Sequence, residues 1–445
     1  MSESSSHPYA VWRFTSYRFY AVSWFAMTFG AMMEGVAIRL VVYRWTGDYL
    51  ALGWIGLVRA LPVLLLAIAG GQIADRWDRR GVMVAMLALS LLTSLGLAAA
   101  VAWQMPLGAI YVLLALGAIS QALGGPSRAA LLPQIVPAEV FPNAVTWNTT
   151  VFQVAAMTGP AAGGYLLGWT GNAADCFLAV ALCRLVALAA MAALRGGGQP
   201  ARDEDISWQS VVAGVRFVCH NKVILAAITL DLFAVLLAGV TYLLPVFAED
   251  ILGVGAQGLG LLQSAEAVGA VTMAVLLAHL PPMRHAGRAL LWAVAGFGAA
   301  TIVFGLSRNF LLSLGMMFLM GALDNISVVV RHTLVQMLTP DAMRGRVSAV
   351  NNIFIVASND LGGLESGVTA HFLGPTGSAV AGGLGAIAVV LAVARRWPEI
   401  LSVGSLQEVR PLAWVDPPDP PRAELGDGKP DPASADASAR PAGSP

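Results

Sequence analysis

The sequence predicts an all-α integral membrane protein whose twelve transmembrane helices form two six-helix bundles. Hydrophobic residues make up 57% of the chain and charged residues only 12%, and the mean hydropathy is +0.71. This composition is far from that of soluble domains. The apolar residues fall in runs of about twenty, the length that an α-helix needs to cross a hydrocarbon core roughly 30 Å thick. The basic residues lie almost entirely at one end of these runs.

The apolar runs form two sets of six, with short connections that favour antiparallel neighbours. The first set is predicted at 18–42, 50–73, 82–103, 107–127, 144–168 and 174–194. The second set is predicted at 223–247, 258–280, 289–306, 310–333, 348–371 and 376–394. An even number of spans places both termini on the same side of the membrane.

A polar stretch at 195–222 separates the two sets and predicts a linker with a surface helix. Its polar residues and its tryptophan are Arg202, Asp203, Glu204, Asp205 and Trp208. The tail is rich in Pro, Ala, Asp, Gly and Ser and is expected to be disordered. The predicted domains are an N-terminus at 1–17, a first bundle at 18–194, the linker at 195–222, a second bundle at 223–397 and a tail at 398–445.

The distribution of basic residues predicts the orientation, because basic loops are retained on the cytoplasmic side. One side holds Arg13, Arg18, Arg76, Arg79, Arg80, Arg128, Arg195, Arg202, Arg216, Lys222, Arg284, Arg288, Arg344, Arg346, Arg395 and Arg396. Between the predicted spans, only Arg44 and Arg308 lie on the other side. Both termini and the linker are therefore expected to be cytoplasmic.

A weak internal repeat relates the two halves of the chain. The segment RAALLPQIVPAEVFPNAVTWN from Arg128 aligns at a constant offset with RHTLVQMLTPDAMRGRVSAVN from Arg331. Both segments join the fourth span of their half to the fifth. Parallel repeated halves are a recognised plan of membrane transporters, with the substrate path at their interface. Chance agreement between two short segments is the alternative.

The segment GQIADRWDRR, between the second and third spans, contains the most specific motif. It resembles the loop signature of the major facilitator superfamily, G-x-L-a-D-R-x-G-R-R, with Ile73 for Leu and Asp78 where the family usually has Gly. The resemblance implies a gating loop formed by Gly71, Asp75, Arg76, Arg79 and Arg80. A carboxylate at a helix end can accept hydrogen bonds, and the arginines can hold a neighbouring helix. In the alternative interpretation, the arginines only anchor the topology.

The fifth span contains a run of small residues that resembles the G-P-x-x-G-G core of the antiporter motif of the same superfamily. The matching residues are Gly159, Pro160, Gly163 and Gly164. Small residues allow close helix approach, and a proline can bend a helix whose freed carbonyl is satisfied by packing. A purely structural kink is an equal alternative.

The second half resembles one branch of the superfamily, the enterobactin-exporter-like and macrolide-efflux-like drug transporters. The segments that resemble it are GALDNIS from Gly321, TPDAMRGRVSAVN from Thr339 and SNDLGGLESG from Ser358. The resemblance spans roughly residues 15–395. It implies the major facilitator fold, alternating access, a bacterial inner membrane and export driven by the proton gradient. The second-half counterpart of the gating loop, near Arg284 and Arg288, has no matching aspartate.

Charged residues within the predicted spans are candidates for function, because an ionised group in hydrocarbon is unfavourable unless it faces a partner or an aqueous cavity. The acidic ones are Glu34, Asp231, Glu266, Asp324, Asp360 and Glu365, and the basic ones are Arg39, Arg59, Arg184 and Arg331. Proton coupling or a substrate cavity is expected at Glu34, Asp231, Glu266, Asp324 and Arg331. Asp324 and Arg331 share a helical face, so a structural pair between them is equally possible.

The sequence therefore predicts a secondary active transporter, not an enzyme, that exports a small amphiphilic drug or siderophore. An importer, or a non-transporting sensor with the same fold, is the alternative. P-loops, metal-ligand clusters and nucleophile elbows are absent from the sequence, and no cofactor is expected. With 26 basic and 26 acidic residues, the chain has no net field to attract nucleic acid. The expected partners are the substrate, protons and the lipid bilayer, and the protein is expected to be a monomer.

Overall fold

The computed structural model describes residues 7–196, 208–281 and 283–404. All regular elements in these ranges are helical, which confirms the predicted all-α membrane fold. The polar linker residues Arg202, Asp203, Glu204 and Asp205, and the tail beyond residue 404, lie outside the described residues.

Six long helices form the first half. They are α1 (Thr15–Thr46), α2 (Tyr49–Arg76), α3 (Arg79–Ala102), α4 (Leu107–Ile135), α5 (Phe141–Thr170) and α6 (Ala173–Ala193). Gly47 and Gly171 end α1 and α5 with φ values of 62° and 64°, a left-handed conformation that glycine adopts without strain. Asp48 and Asn172 then cap α2 and α6, since each side chain accepts a hydrogen bond from the backbone two residues on. These local signals explain the tight reversals.

The helices after the linker are shorter and less regular at first. They are α7 (Trp208–His220), α8 (Lys222–Ala238), α9 (Leu244–Val246), α10 (Gly255–His279), α11 (Ala286–Leu306), α12 (Phe310–Leu338) and α13 (Asp341–Arg396). Gly374, with φ 73° and ψ 168°, interrupts α13. The Ser378 hydroxyl donates to the Ser366 carbonyl at 3.2 Å. Twelve residues of straight helix would separate these groups by about 18 Å, so the chain reverses at Gly374.

Ten helical segments in the described chain are long and apolar enough to cross a membrane. The interrupted α13 counts once among them, and α5 is not one of the ten. The number of twelve spans therefore stays a prediction, although the predicted boundaries coincide with the helices to within a few residues in most cases.

The seventh predicted span, 223–247, is not one continuous helix. α8 ends at Ala238, and short 3₁₀, α and π turns continue the segment to Ile251. Gly239 leaves the helical conformation with ψ 74°, and Pro245 has no N–H to extend an α-helical ladder. The Ser366 hydroxyl donates to the Gly239 carbonyl at 3.0 Å. The helix break, which the hydropathy pattern does not reveal, frees the Gly239 carbonyl, and tertiary packing supplies its hydrogen bond.

The first residues of the predicted disordered tail are ordered. Pro398–Ser402 forms a 3₁₀ helix, in which the Ile400 side chain is fully buried. The Glu399 carboxylate accepts a hydrogen bond from the Lys222 ammonium at 2.7 Å. The segment is ordered because Ile400 packs into the second half beside Gly287, where a side chain would meet the Ile400 backbone.

The helices pack into two halves that meet along two seams. In the first half, α1 packs on α5 and α6, and α4 packs on α2 and α3. In the second half, α8 and α11 pack on α13, and α10 and α11 pack on α12. The halves meet through α2 with α13 and through α5 with α10. We call the end that holds the α1–α2 turn, residues 47–48, the α1–α2 end, and the end that holds the turn at 77–78 the α2–α3 end.

Candidate functional site

The α2–α3 turn is tied to two other helices of the first half. The Arg79 side chain is buried, and its guanidinium donates to the carbonyls of Ala74 and Ala130, each at 3.1 Å. The Arg80 guanidinium donates to the Ala192 carbonyl at the end of α6. Both arginines thus contact neighbouring helices, a role that topology anchoring alone does not require.

Asp78, the residue that departs from the superfamily pattern, caps α3. Its carboxylate accepts a hydrogen bond from the Gly81 backbone at 2.9 Å. Asp75 is partly buried in the last turn of α2, directly before the exposed Arg76, and Gly71 is buried one turn earlier. The five predicted gating residues therefore lie together at the α2–α3 end.

The small residues of α5 face two different helices. A Cβ added to Gly159 would lie 2.6 Å from the Met32 Cβ on α1. A Cβ on Gly164 would instead lie 2.8 Å from the Gly260 Cα on α10. One on Gly260 would lie 2.5 Å from the Pro160 carbonyl oxygen. The run therefore packs α5 onto its own half and, one turn further on, onto the other half.

A buried ion pair lies inside the first half. The Arg184 guanidinium on α6 contacts the Glu34 carboxylate on α1 at 3.0 Å, with side-chain exposures of 10% and 17%. The Ser94 hydroxyl donates to the same carboxylate at 3.5 Å. Arg59 on α2 is an electrostatic neighbour of Glu34. The one predicted acidic candidate of this half thus already has a cationic partner.

A second, more deeply buried ion pair lies inside the second half. Arg331 on α12 contacts Asp231 on α8 at 2.8 Å, with exposures of 3% and 7%. The structural pair between Arg331 and Asp324, left open by the sequence, is not formed; Asp324 interacts with both only as an electrostatic neighbour. Glu266 on α10 is an electrostatic neighbour of Asp324. Four of the five predicted candidates are therefore neighbours within the second half: Asp231, Glu266, Asp324 and Arg331.

A polar cluster crosses between the halves. The Tyr242 hydroxyl donates to the Asp360 carboxylate at 2.8 Å, and Arg39 of α1 lies over the Tyr242 ring at 5.4 Å. Arg59 is an electrostatic neighbour of Asp360. Tyr242 lies in the irregular segment after Gly239, which explains why sequence analysis missed it. The intramembrane charges at Arg39, Arg59 and Asp360 were the only signal for this cluster.

A further set of cross-half contacts lies at the α1–α2 end. The Arg44 guanidinium contacts the Glu249 carboxylate at 2.8 Å, and the Tyr43 hydroxyl donates to the Asp250 carboxylate. The sequence pattern reveals neither pair, because more than 200 residues separate the partners. The one sequence feature that pointed to these contacts was Arg44, one of the few basic residues on that side.

Glycines bring α2 and α13 together near the same end. A Cβ on Gly53 would lie 3.3 Å from the Gly367 Cα and 3.2 Å from the Gly363 carbonyl oxygen. With the Gly164–Gly260 contact, this places a close seam on each side of the charge pairs. The α1–α2 end is therefore closed between the two halves in this structure.

Comparison with protein families finds a match over residues 6–416 to the family described as transmembrane secretion effector. Among curated relatives, the enterobactin exporter EntS of Citrobacter koseri is 27% identical over 379 residues, covering 84% of this chain and 89% of that protein. EntS of Escherichia coli O1:K1 is 26% identical over 358 residues, covering 80% and 85%.

Solved structures share the fold at low sequence identity. The nucleoside transporter NupG is 13% identical with a TM-score of 0.64, covering 87% of this chain and 99% of that one. The xylose transporter XylE from E. coli, in an inward open conformation, is 12% identical with a TM-score of 0.65, covering 88% and 98%. At such identities the likeness describes the fold alone.

Proposed function

Because the chain belongs to the transmembrane secretion effector family of the major facilitator superfamily, we propose that it exports a small amphiphilic molecule of the drug or siderophore class. It is a multi-pass membrane transporter. The observation that carries the proposal is the match to enterobactin exporters over more than four fifths of the chain. The motifs and the intramembrane charges agree with export coupled to a counter-moving proton.

The closed α1–α2 end supports alternating access as the mechanism. Its polar contacts, such as Arg44 with Glu249, are partly exposed, with side-chain exposures of 44% and 24%. Exposed ion pairs contribute roughly 0–1 kcal/mol, so they can separate and re-form in each cycle. The glycine seams add shape complementarity without polar groups that would be left unpaired. Opening this end while the gating loop closes the α2–α3 end exposes the interface to the opposite side.

The gating loop is proposed to stabilise the state in which the α2–α3 end is closed. Arg79 and Arg80 hold the loop on α4 and α6 of the first half. Asp75, partly buried at the end of α2 beside this turn, is proposed to make charge-assisted contacts that change between states. Orientation follows the arginine distribution, so the α2–α3 end and both termini are proposed to face the cytoplasm of a bacterial inner membrane.

Proton coupling is proposed to use the intramembrane carboxylates Glu34, Asp231, Glu266 and Asp324. A carboxylate away from water favours its neutral form, so a conformational change that alters its access to water can load or release a proton. The paired Glu34 and Asp231 differ here from Asp324, which has no cationic partner in direct contact among the described residues. We propose that the protein acts as a monomer, with its domains divided as the sequence predicts except that Pro398–Ser402 belongs to the second bundle.

Transport by inverted membrane vesicles tests the function. Vesicles that contain the protein should accumulate enterobactin or a macrolide in the presence of a proton gradient, acid inside, and lose this accumulation when a protonophore is added. Vesicles prepared in the same way without the protein are the control for leakage. Accumulation in right-side-out vesicles only would indicate an importer. Absence of flux for a broad substrate panel, with well-folded protein, would favour the sensor alternative.

A further inference from the structure

A small cavity lies inside the second half, between α8, α11 and α12. Its volume is about 10 Å³, which is near the minimum for one water molecule. Asp231, Asp324 and Ser327 supply its polar lining. The remaining lining residues are Ala234, Val235, Ala293, Val294, Phe297 and Leu323. The cavity is therefore mostly apolar, with three polar side chains in its lining, and no first-half residue lines it.

Some of the polar groups at this cavity have a hydrogen-bond or ion-pair partner and others do not. Asp231 has a partner, since Arg331 contacts its carboxylate at 2.8 Å. Ser327 is 3% exposed, and its Oγ has no hydrogen-bond partner among the described residues. The Nε of Arg331 is likewise buried without a partner in the described chain. Buried polar atoms of this kind are unfavourable unless a water or another group meets them.

The charges around the cavity do not balance. Two carboxylates, Asp231 and Asp324, face one guanidinium, Arg331, which leaves an excess of one negative charge when both are ionised. On α10, Glu266 adds another negative charge beyond Asp324, and Arg39 of the first half faces Glu266. The lining from α11 is apolar. An uncompensated charge in such a place is strongly disfavoured.

A proton compensates this charge better than a metal ion does. Hard cations take six or more oxygen ligands, whereas the cavity offers two carboxylates and one hydroxyl. In the part of the chain that the structure describes, no group of three or more His, Cys, Asp or Glu side chains is placed to hold a metal. A proton needs a single acceptor, and Asp324 is the lining carboxylate without an ion pair.

We propose that this cavity is the proton-binding site of the transporter, with Asp324 as the carboxylate that gains and loses the proton and one water bridging it to Ser327 and the Asp231–Arg331 pair. The inference rests on the proposed function and deepens it. The proton passes from a hydronium ion on one side to the Asp324 carboxylate, and later from the carboxylic acid to water on the other. The substrate, which binds between the halves, does not compete for this acceptor.

The site can act on the interface through Glu266. Neutralising Asp324 removes the negative charge that repels Glu266, and Glu266 in turn faces Arg39 of the first half. Arg39 lies over Tyr242 in the cross-half cluster. Loading the proton therefore changes the electrostatic balance at the closed α1–α2 end without direct contact between proton and substrate. Coupling of this kind is a shift of population between two states.

Infrared difference spectroscopy of the full chain in lipid nanodiscs, between alkaline and acidic buffer, tests the site without any substrate. The wild-type protein should develop the carbonyl-stretch band of a buried carboxylic acid. Asp324→Asn should remove this band, Asp324→Glu should keep it at a shifted frequency, and Glu399→Gln, at the exposed pair with Lys222, should leave it unchanged as the control. A full band in Asp324→Asn overturns the proposal.

Isotope labelling provides a test that needs no substitution. In wild-type protein made with ¹³C-carboxyl aspartate, the band must shift to lower frequency, and with ¹³C-labelled glutamate it must stay. The opposite result would assign the proton to a glutamate and overturn the proposal. A correct band in protein that transports none of the tested substrates would contradict the proposed function only, whereas normal proton-driven flux without the band would contradict the site only.

Discussion

The repeated arginines Arg128 and Arg331 occupy matching places in the two halves but have different partners. Arg128 lies over the indole ring of Trp24, 3.6 Å from its centroid. Arg331 instead contacts the Asp231 carboxylate at 2.8 Å. An aromatic face offers an attraction that does not titrate, whereas a carboxylate can take up a proton. The comparison shows that the two matching cations have different surroundings, aromatic side chains for Arg128 and a carboxylate for Arg331.

The largest expected effect comes from breaking the second-half pair. Arg331→Ala should destabilise the protein by about 3–5 kcal/mol, because it leaves Asp231 buried without a partner. Arg128→Ala should cost less, about 0.5–2 kcal/mol, since it removes a cation–π contact with Trp24 and a hydrogen bond with Tyr20 but leaves no buried ionised partner behind. Thermal unfolding in detergent measures both. The double variant Arg331→Met with Asp231→Leu should recover most of the loss, and equal losses for the two arginine variants would refute the difference between the halves.

The next effect concerns the predicted gating loop, whose second-half counterpart near Arg284 and Arg288 has no matching aspartate. Asp75→Asn should weaken closure of the α2–α3 end by about 1.5–3 kcal/mol, the range for hydrogen bonds to charged groups. The neighbouring Asp78→Asn is the matched control, because Asn also caps helices well. A maleimide that cannot cross the membrane would report the exposure of a cysteine placed at Gln263, in α10 near the α1–α2 end, in protein whose native cysteines are replaced by serine. Unchanged labelling and unchanged flux in Asp75→Asn would contradict a gating role.

At the contact between α5 and α10, we expect a substitution on either half to have the same effect on closure. Gly164→Val and Gly260→Val should each disfavour the closed α1–α2 end by about 1–3 kcal/mol, because an added side chain overlaps the facing backbone. Gly125→Ala, which has open space around it, is the control. Spin-label distances across this end would lengthen in both valine variants. A response to only one of them would show that the contact is not shared.

A smaller effect is expected at Glu34, the first-half carboxylate. Glu34→Gln keeps the size of the side chain but removes its charge from the pair with Arg184. Concentrative export should fall several-fold, about 1 kcal/mol in coupling, while downhill exchange survives better. Asp324→Asn should reduce the dependence on the proton gradient more strongly. Full gradient-driven transport by Glu34→Gln would remove it from the coupling mechanism, and a low folded yield of Glu34→Ala alone would indicate packing.

The smallest effect is expected at the exposed pair of the second half, Lys222 with Glu399. The hydrogen bond from Lys222 lowers the pKa of the Glu399 carboxyl below its ordinary value. A lowered pKa in the folded state contributes stability above the unfolded-state pKa, and this contribution disappears as the pH falls through the folded-state value. Because the pair is exposed, Glu399→Gln should leave the unfolding temperature at neutral pH nearly unchanged. A marked drop would show that the tail segment is an essential part of the second half.

Sequence patterns predicted helix positions well where the signal was local. The third span, predicted at 82–103, corresponds to Arg79–Ala102, and the reversal after α1 follows from Gly47 and Asp48. The seventh span, predicted at 223–247, lies within a segment long and apolar enough to cross the membrane, Lys222–Ile251, but hydropathy does not reveal the break at Gly239. The break persists because Ser366, more than 120 residues away, satisfies the freed carbonyl.

By itself, the sequence determined that the chain is helical and apolar, and that it carries a loop resembling that of a transporter superfamily. These properties depend on segment length, composition and short motifs, which act between near neighbours. Only the tertiary structure decided that Arg331 pairs with Asp231 rather than Asp324, that Tyr43 and Arg44 meet Asp250 and Glu249, and that the α1–α2 end is closed. Many charges within the spans are chemically able to pair, and the packing of α8 on α12 and of one half on the other selects the partners.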